Sequence, residues 1–390
     1  MMRRLFCLLA LLGLATIALA QSTPQPPEIA ARSWLLLDLS SGQELAAREA
    51  EAPVPPASLT KLMTAYLVFD ALRVGKLDLD QKLTVSELAR RQPGSRMFLE
   101  TGMKVPVEDL IKGLLVQSGN DAAVTLAEGT AGSVERFVQQ MNEQAQALGM
   151  KSTRFLTPTG LTLPGQQSTA RDLALLATRL LRDFPDRAHF HAIRKYRYAG
   201  TPPANDSNRN LLLFRDPSVD GLKTGHTEAA GYCIIATAQR EFPNLGPGGA
   251  PGPRRLMAVV LGAASESARA SEAQKLLNWG YAAFETVKLF EANQAVLTPR
   301  VWKGSAAQVR LGRPQAVMVT VPVGLASRLQ TQALRPEPLV APLRKGQVVG
   351  TLRIYEGERT LSEIPLLALD RVDEAGLIGQ AWDAFRLWIQ

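Results

Sequence analysis

The run Pro55-Pro56-Ala57-Ser58-Leu59-Thr60-Lys61-Leu62-Met63-Thr64-Ala65-Tyr66-Leu67-Val68-Phe69 sets the reading of the whole chain. Two prolines forbid a helix upstream of Ser58, whereas the residues from Leu59 onward are helix-compatible and rich in core-type side chains. Ser58 is therefore expected at a helix start. Lys61 follows about one turn up the same face, where its amine can reach the Ser58 oxygen. A serine hydroxyl is a poor nucleophile at neutral pH, and a nearby lysine is one known base for it. The free N–H groups of the helix N-terminus favour a developing oxyanion.

Working outward, two more strings follow in order, Ser118-Gly119-Asn120 and Lys223-Thr224-Gly225. Each is weak alone. S-x-x-K arises by chance in many chains, and S-x-N in isolation reads more readily as a turn in which Asn120 caps a helix starting at Asp121. The ordered trio carries the weight: it spells a serine acyl-transfer site with a lysine base. Lys61 must be neutral to act as that base, which requires a drop of roughly 3 pKa units, or ~4 kcal/mol. Burial and a second cation can supply it.

On these residues the chain resembles the low-molecular-mass penicillin-binding proteins, the D-alanyl-D-alanine carboxypeptidases of the serine S-x-x-K superfamily. The resemblance extends over Ser95-Arg96-Met97-Phe98-Leu99, Gln117 to Ala122, Ser168-Thr169-Ala170-Arg171-Asp172, Asn208-Arg209-Asn210 and Val219 to Thr227. It continues through Ala341 to Gln347 in the tail half, a region that penicillin-destroying relatives lack. The resemblance implies that Ser58 attacks the carbonyl of a penultimate D-alanine, expels the terminal one and leaves an acyl-enzyme for water to hydrolyse. Lys61 would be the base, Ser118 the proton relay to the leaving amine, and Asn120 a partner of both Lys61 and the substrate amide. Lys223 would lie on an edge strand across the cleft, while Thr224 and Arg269 hold the substrate carboxylate. Gly225 would let that strand lie close to the substrate backbone, and the N–H groups of Ser58 and His226 would form the oxyanion hole. The expected partners are peptidoglycan pentapeptide stems and, as covalent inhibitors, β-lactams. No cofactor is implied, and His189 and His191 lack the neighbouring carboxylates or thiols of a metal site. Thr159-Gly160-Leu161 departs from the His-Gly-Leu often found in the family, and the loop ahead of Ser95 is shorter.

The chain has 390 residues, 46% of them hydrophobic, which bounds it as a globular protein of two domains. Residues 1–20 read as a secretory signal: Arg3-Arg4, an apolar run from Leu5 to Leu19, and Ala18-Leu19-Ala20 as the cleavage site. Cys7 leaves with that signal. The mature chain then keeps Cys233 alone, in an apolar strand where a core thiol is expected. The formal charge of +8 is scattered, with no basic run longer than two and no aromatic-interleaved stripe, so nucleic acid is not an expected partner.

An α+β catalytic domain spans 21–285, with an antiparallel sheet flanked by helices and a helical subdomain, the β-lactamase/transpeptidase-like arrangement that the resemblance implies. Strands read at Trp34 to Leu39, Glu44 to Arg48, Gly231 to Ala238 and Leu256 to Ala263. Helices read at Val107 to Val116, Asp121 to Thr130, Val134 to Leu148, Ala170 to Arg182 and Ser271 to Phe284. Phe242 to Pro253 reads as a Gly/Pro-rich linker. A small all-β domain occupies 286–370. In 371–390 a helix from Leu377 to Gln390 places Leu377, Ile378, Ala381, Trp382, Phe385, Trp388 and Ile389 on one face. With Arg386 as its one basic residue, it would bind a membrane surface through its aromatic side chains more than through charge. The alternative is packing against the β domain.

Three other functions share parts of this pattern. A class A β-lactamase needs a carboxylate to position the deacylating water, and Leu156 to Gln167 contains neither Asp nor Glu. A D,D-endopeptidase shares all three strings, but the C-terminal β domain favours the carboxypeptidase. A wall-binding scaffold would have no need of both lysines.

Overall fold

The computed structural model describes residues 24–388; the expected signal segment and Ile389 lie outside them. Strand β1, Ser33–Asp38, is buried along nearly its whole length, because its apolar residues face two different cores. Leu35 joins a core beneath helices on one face, and Trp34 and Leu36 join another on the opposite face. The period-two alternation of a strand produces this division. It repeats in β4 (Gly231–Phe242) and β5 (Gly252–Ala263), where Ile235 and Val259 point one way and Ile234 and Val260 the other. With β2 (Gln43–Arg48) and β3 (Val219–Thr227) they form one antiparallel sheet in the order β2-β1-β5-β4-β3. β3 is thereby an edge.

One face carries helices α1 (Lys61–Arg73), α2 (Val107–Leu115), α3 (Asn120–Ala131), α4 (Val134–Leu148) and α5 (Ala170–Asp183). A short hairpin, Lys82–Thr84 with Lys104–Pro106, interrupts this helical subdomain. Helix α1 is buried over most of its surface, as its largely apolar sequence requires, with Asp70 and Arg73 toward solvent at its C-terminal end. The other face is covered by α6, Glu266–Ala283. At Gly280 a Cβ would press into Leu36 and Leu256, so the missing side chain sets how closely α6 approaches the sheet.

Two expectations about this region are corrected. Helix α6 begins at Glu266, five residues before Ser271, because the Ser265 hydroxyl accepts the Ala268 N–H at 3.0 Å and caps it. The segment Phe242 to Pro253 is also shorter as a linker than its composition implies. Gly252, Pro253 and Arg254 pair with Phe242, Glu241 and Arg240, extending the β4–β5 hairpin.

From α6 the chain passes directly into the strand Phe284–Phe290, which pairs with Val317–Pro322. A second antiparallel sheet is ordered Gln330–Leu334, Val348–Glu356, Arg359–Ala368, Leu311–Gly312, Ala295–Leu297. Two small apolar clusters fill this β unit, one around Leu311 and Val349, the other around Val319 and Ile354. Its junction with the first unit is polar and buried. Asp38 Oδ2 accepts from Arg254 Nε at 2.8 Å, Thr286 Oγ1 at 2.8 Å and Thr320 Oγ1 at 2.9 Å, and Arg254 Nη1 donates to the Phe284 carbonyl at 2.6 Å. Helix α7, Leu377–Trp388, is tied down by Asp383, which accepts the Lys303 N–H at 2.7 Å. Leu377, Ile378, Trp382, Phe385 and Trp388 remain exposed, which removes the alternative of a helix packed through its apolar face.

Candidate active site

Ser58 lies in a 3-10 turn, Ala57–Thr60, that runs into α1 at Lys61. Ala57 is held in the left-handed region, φ 46°, a strained conformation that sets the nucleophile at a sharp bend. Gly225 on β3 packs against this turn: a Cβ there would lie 3.0 Å from Ser58 N and 3.2 Å from Leu59 N. The close approach of edge strand to turn therefore requires glycine. The Thr159 loop closes the other side, anchored by Thr64 Oγ1 donating to the Pro158 carbonyl at 2.7 Å. Gly160 in that loop has φ +82° and no room for a side chain against the Ala57 backbone.

Lys61 Nζ is completely buried and has three neighbours: Ser58 Oγ at 3.0 Å, Asn120 Oδ1 at 2.6 Å and the Thr159 carbonyl at 2.6 Å. Two of these can only accept. A neutral amine that donates both hydrogens to Asn120 Oδ1 and Thr159 O is left with its lone pair facing the Ser58 hydroxyl. The Asn120 amide is fixed in the necessary sense because its Nδ2 donates to the Pro93 carbonyl at 2.6 Å. Gly119, not Asn120, occupies the cap position of α3, so the side chain of Asn120 is free for this role.

Burial pushes Lys61 down to about 7, and the nearby Asp121 carboxylate partly opposes that fall. Lys223 is also held well below its ordinary value, by burial first and then by Lys61, Arg269 and Arg209. Burial is the largest cause at both amines, and the repulsion between them, evident at Lys223, acts on the pair. Both directions favour fewer than two protons on the pair near neutrality. Lys223 Nζ donates to Ser118 Oγ at 2.9 Å and to the Thr224 carbonyl at 2.9 Å. Ser118 has φ 61°, a second strained position at the cleft.

All nine residues singled out from the sequence gather here. A cleft of about 270 Å³ is lined by Ser58, Ser118, Thr224, Gly225, His226 and Arg269. Lys61, Asn120 and Lys223 stand directly behind it. His226 is exposed and stacks on Tyr232 with ring centroids 4.0 Å apart. Arg269 is held more tightly than a free fork donor: Nη1 donates to the Gly225 carbonyl at 3.1 Å, and Nη2 to the Arg209 carbonyl at 3.1 Å and Glu266 at 2.9 Å. Three features had escaped the sequence reading. The Thr159 carbonyl is a backbone atom with no sequence signature; Asp121 and Arg209 sit inside quoted motifs but had been given no role. Asp121 accepts the N–H groups of Met97 and Leu99 and so braces the Ser95–Leu99 loop at the cleft.

A serine at a strained turn, its oxygen beside a buried lysine, with a second buried lysine on the edge of an antiparallel sheet, is an arrangement chemically suited to serine acyl transfer with lysine as base. The particular family follows from comparison with known proteins. The family model described as D-alanyl-D-alanine carboxypeptidase matches residues 20–265, and the one described as penicillin-binding protein 5, C-terminal domain, matches 284–374. The D-alanyl-D-alanine carboxypeptidase DacC of Escherichia coli is 41% identical over 372 residues, covering 93% of this chain and 90% of that protein. Penicillin-binding protein 5 from Haemophilus influenzae superimposes with a TM-score of 0.81 at 36% identity, covering 90% of this chain and 100% of that one. The ampicillin-bound penicillin-binding protein D2 of Listeria monocytogenes superimposes at 0.57 and 31% identity, over 66% of this chain and all of that one. The chain belongs to the D-alanyl-D-alanine carboxypeptidase family and is a hydrolase of the peptidase type.

Proposed function

We propose that this carboxypeptidase works through a Ser58 acyl-enzyme on peptidoglycan pentapeptide stems, that β-lactams acylate the same oxygen, and that its role lies in wall synthesis and cell-shape maintenance. The contact set of Lys61 Nζ carries the reading: two obligate acceptors and one hydroxyl leave a lone pair aimed at Ser58. Neutral Lys61 takes the Ser58 proton as Oγ attacks the penultimate carbonyl, and the N–H groups of Ser58 and His226 receive the oxyanion. Lys223, through Ser118, passes a proton to the leaving D-alanine amine. Thr224 receives the substrate carboxylate together with the cationic face made by Lys223 and Arg269, the latter fixed chiefly as a positioning group. Water then releases the shortened stem.

Penicillin is expected to inhibit, not to be destroyed. The cleft lining contains a single carboxylate, Glu266, and Arg269 already engages it, which leaves no free carboxylate to activate deacylating water as class A β-lactamases do. The exposed apolar face of α7 supports peripheral attachment to a membrane surface, on the outer face of the inner membrane after export and loss of residues 1–20. No helix among the described residues is long and apolar enough to cross a membrane. The proposed division is 21–285 for catalysis, 286–370 for the β unit and 371–390 for attachment.

The test is release of free D-alanine from a pentapeptide ending in D-Ala-D-Ala. One D-alanine per peptide, abolished in Ser58→Ala, is the expected result. A stable penicillin adduct with no D-alanine release would instead favour an endopeptidase.

A further inference from the structure

Strand β3 is a sheet edge, paired on one side alone, and a peptide that binds beside it adds as a further strand. With the substrate carboxylate at Thr224 and the scissile carbonyl at Ser58, the residues preceding the two D-alanines run past His226 and Thr227. They enter a second cleft, of about 360 Å³, that shares Ser58, Ser95, Arg209 and His226 with the first. Its lining carries two cations, Arg96 and Arg209, and no carboxylate.

These cations are built into a frame. The Arg96 guanidinium lies 5.0 Å from the centre of the Phe98 ring and forms no ion pair among the described residues. Asn205 links the two arginines: its Nδ2 donates to the Arg96 carbonyl at 2.8 Å, and its Oδ1 accepts from Arg209 Nη2 at 2.7 Å. The loop bearing Arg96 is pinned from below by Asp121 and by Thr201 Oγ1, which donates to the Met97 carbonyl at 2.9 Å. Phe98 has φ 68°, strain held in place by these contacts. Two like charges fixed at the rim of a cleft, without a protein anion between them, form a site for an anion from outside.

We propose that this second cleft selects stems whose residue immediately before D-Ala-D-Ala ends in a free carboxylate, bound between Arg96 and Arg209. This rests on the carboxypeptidase reading above. A side chain ending in an ammonium would be repelled, and a neutral amide would lose the charge-assisted part of the contact.

The test uses three matched peptides, Nα-acetyl-X-D-Ala-D-Ala, in which X is L-2-aminoadipate, its ω-amide or L-lysine, and reads kcat/KM for D-alanine release. The full-length enzyme is expected to prefer the carboxylate over the amide by about tenfold at low ionic strength, with lysine lowest, and the preference shrinks as salt is added. In Arg96→Leu the carboxylate-to-amide ratio falls toward 1, and Arg96→Lys retains part of it. Equal rates on carboxylate and amide in the wild type, or an unchanged ratio in a folded Arg96→Leu, would overturn the inference alone. Failure to release D-alanine from any of the three would overturn the carboxypeptidase reading and this inference with it.

Discussion

In the half of the chain that carries Ser58, charged groups are buried: Lys61 is 0% and Lys223 2% exposed, beneath sheet and helices filled by apolar residues. In the other half the reverse holds. Most of its ionic groups lie at the surface, Lys288 apart, while Ile378 is 89% and Trp388 83% exposed on α7. Burying an amine and exposing a large apolar face both oppose folding in water. Each departure marks where a partner is expected: a substrate that exchanges protons with the lysines, and an apolar surface that covers the helix. Between the two halves, the Asp38–Arg254 pair is buried on both sides; Thr286 and Thr320 donate to the carboxylate and the Phe284 carbonyl accepts from Arg254 Nη1, while Arg254 Nη2 has no partner among the described residues. It belongs to neither pattern and serves to join them.

The sharpest way to break the contrast is to remove the buried amine. Lys61→Met should reduce acylation by about 10⁴-fold, over ~5 kcal/mol of barrier, while leaving the β unit intact. In the wild type the acylation rate should rise with pH and level off above about 7. Burial has brought Lys61 to about 7, and the neutral form is the base, so protonation below that value removes it. A rate independent of pH between 5 and 9 would contradict this.

Arg254→Met strikes the junction. Removing one partner leaves Asp38 buried without its counter-ion, for an expected loss of about 3–5 kcal/mol. Denaturant unfolding followed by Trp fluorescence measures this; a loss below ~1 kcal/mol would mean that the two units are joined by their apolar contacts. The smallest effect is expected at α7. Replacing Trp382 and Phe385 with serine should weaken binding to anionic vesicles by about 2–4 kcal/mol, with D-alanine release from a soluble peptide unchanged. Equal vesicle binding by the double variant would remove α7 as the anchor.

How far the sequence could be read follows the same division. Apolar strands such as Trp34 to Leu37 and the long helices announced themselves through periodicity, and the three short strings hold seven of the nine site residues, His226 and Arg269 being supplied by the family resemblance. What escaped had local signals that pointed elsewhere. Gly252-Pro253 reads as linker, since nothing nearby foretells that the following Arg254 pairs with Asp38 in the interior. The start of α6 was missed although Ser265 and Glu266 carry an ordinary capping pattern, because the apolar periodicity begins further on. The Thr159 carbonyl that orients Lys61 belongs to the backbone, and only the folded loop brings it there. The bracing of the Ser95–Leu99 loop depends on Asp121, whose partners are main-chain N–H groups equally invisible in the string.

The most direct single measurement is intact mass after brief exposure to penicillin, with the modified peptide mapped, in wild type and Ser58→Ala. Ring opening expels no leaving group, so the wild type should gain the mass of one whole penicillin molecule on the Ser58 peptide, persisting after free drug is removed, and Ser58→Ala should gain none. An adduct on another residue, no adduct with penicillin left intact, or rapid consumption of penicillin without a lasting adduct would contradict a Ser58 acyl-enzyme poised by Lys61.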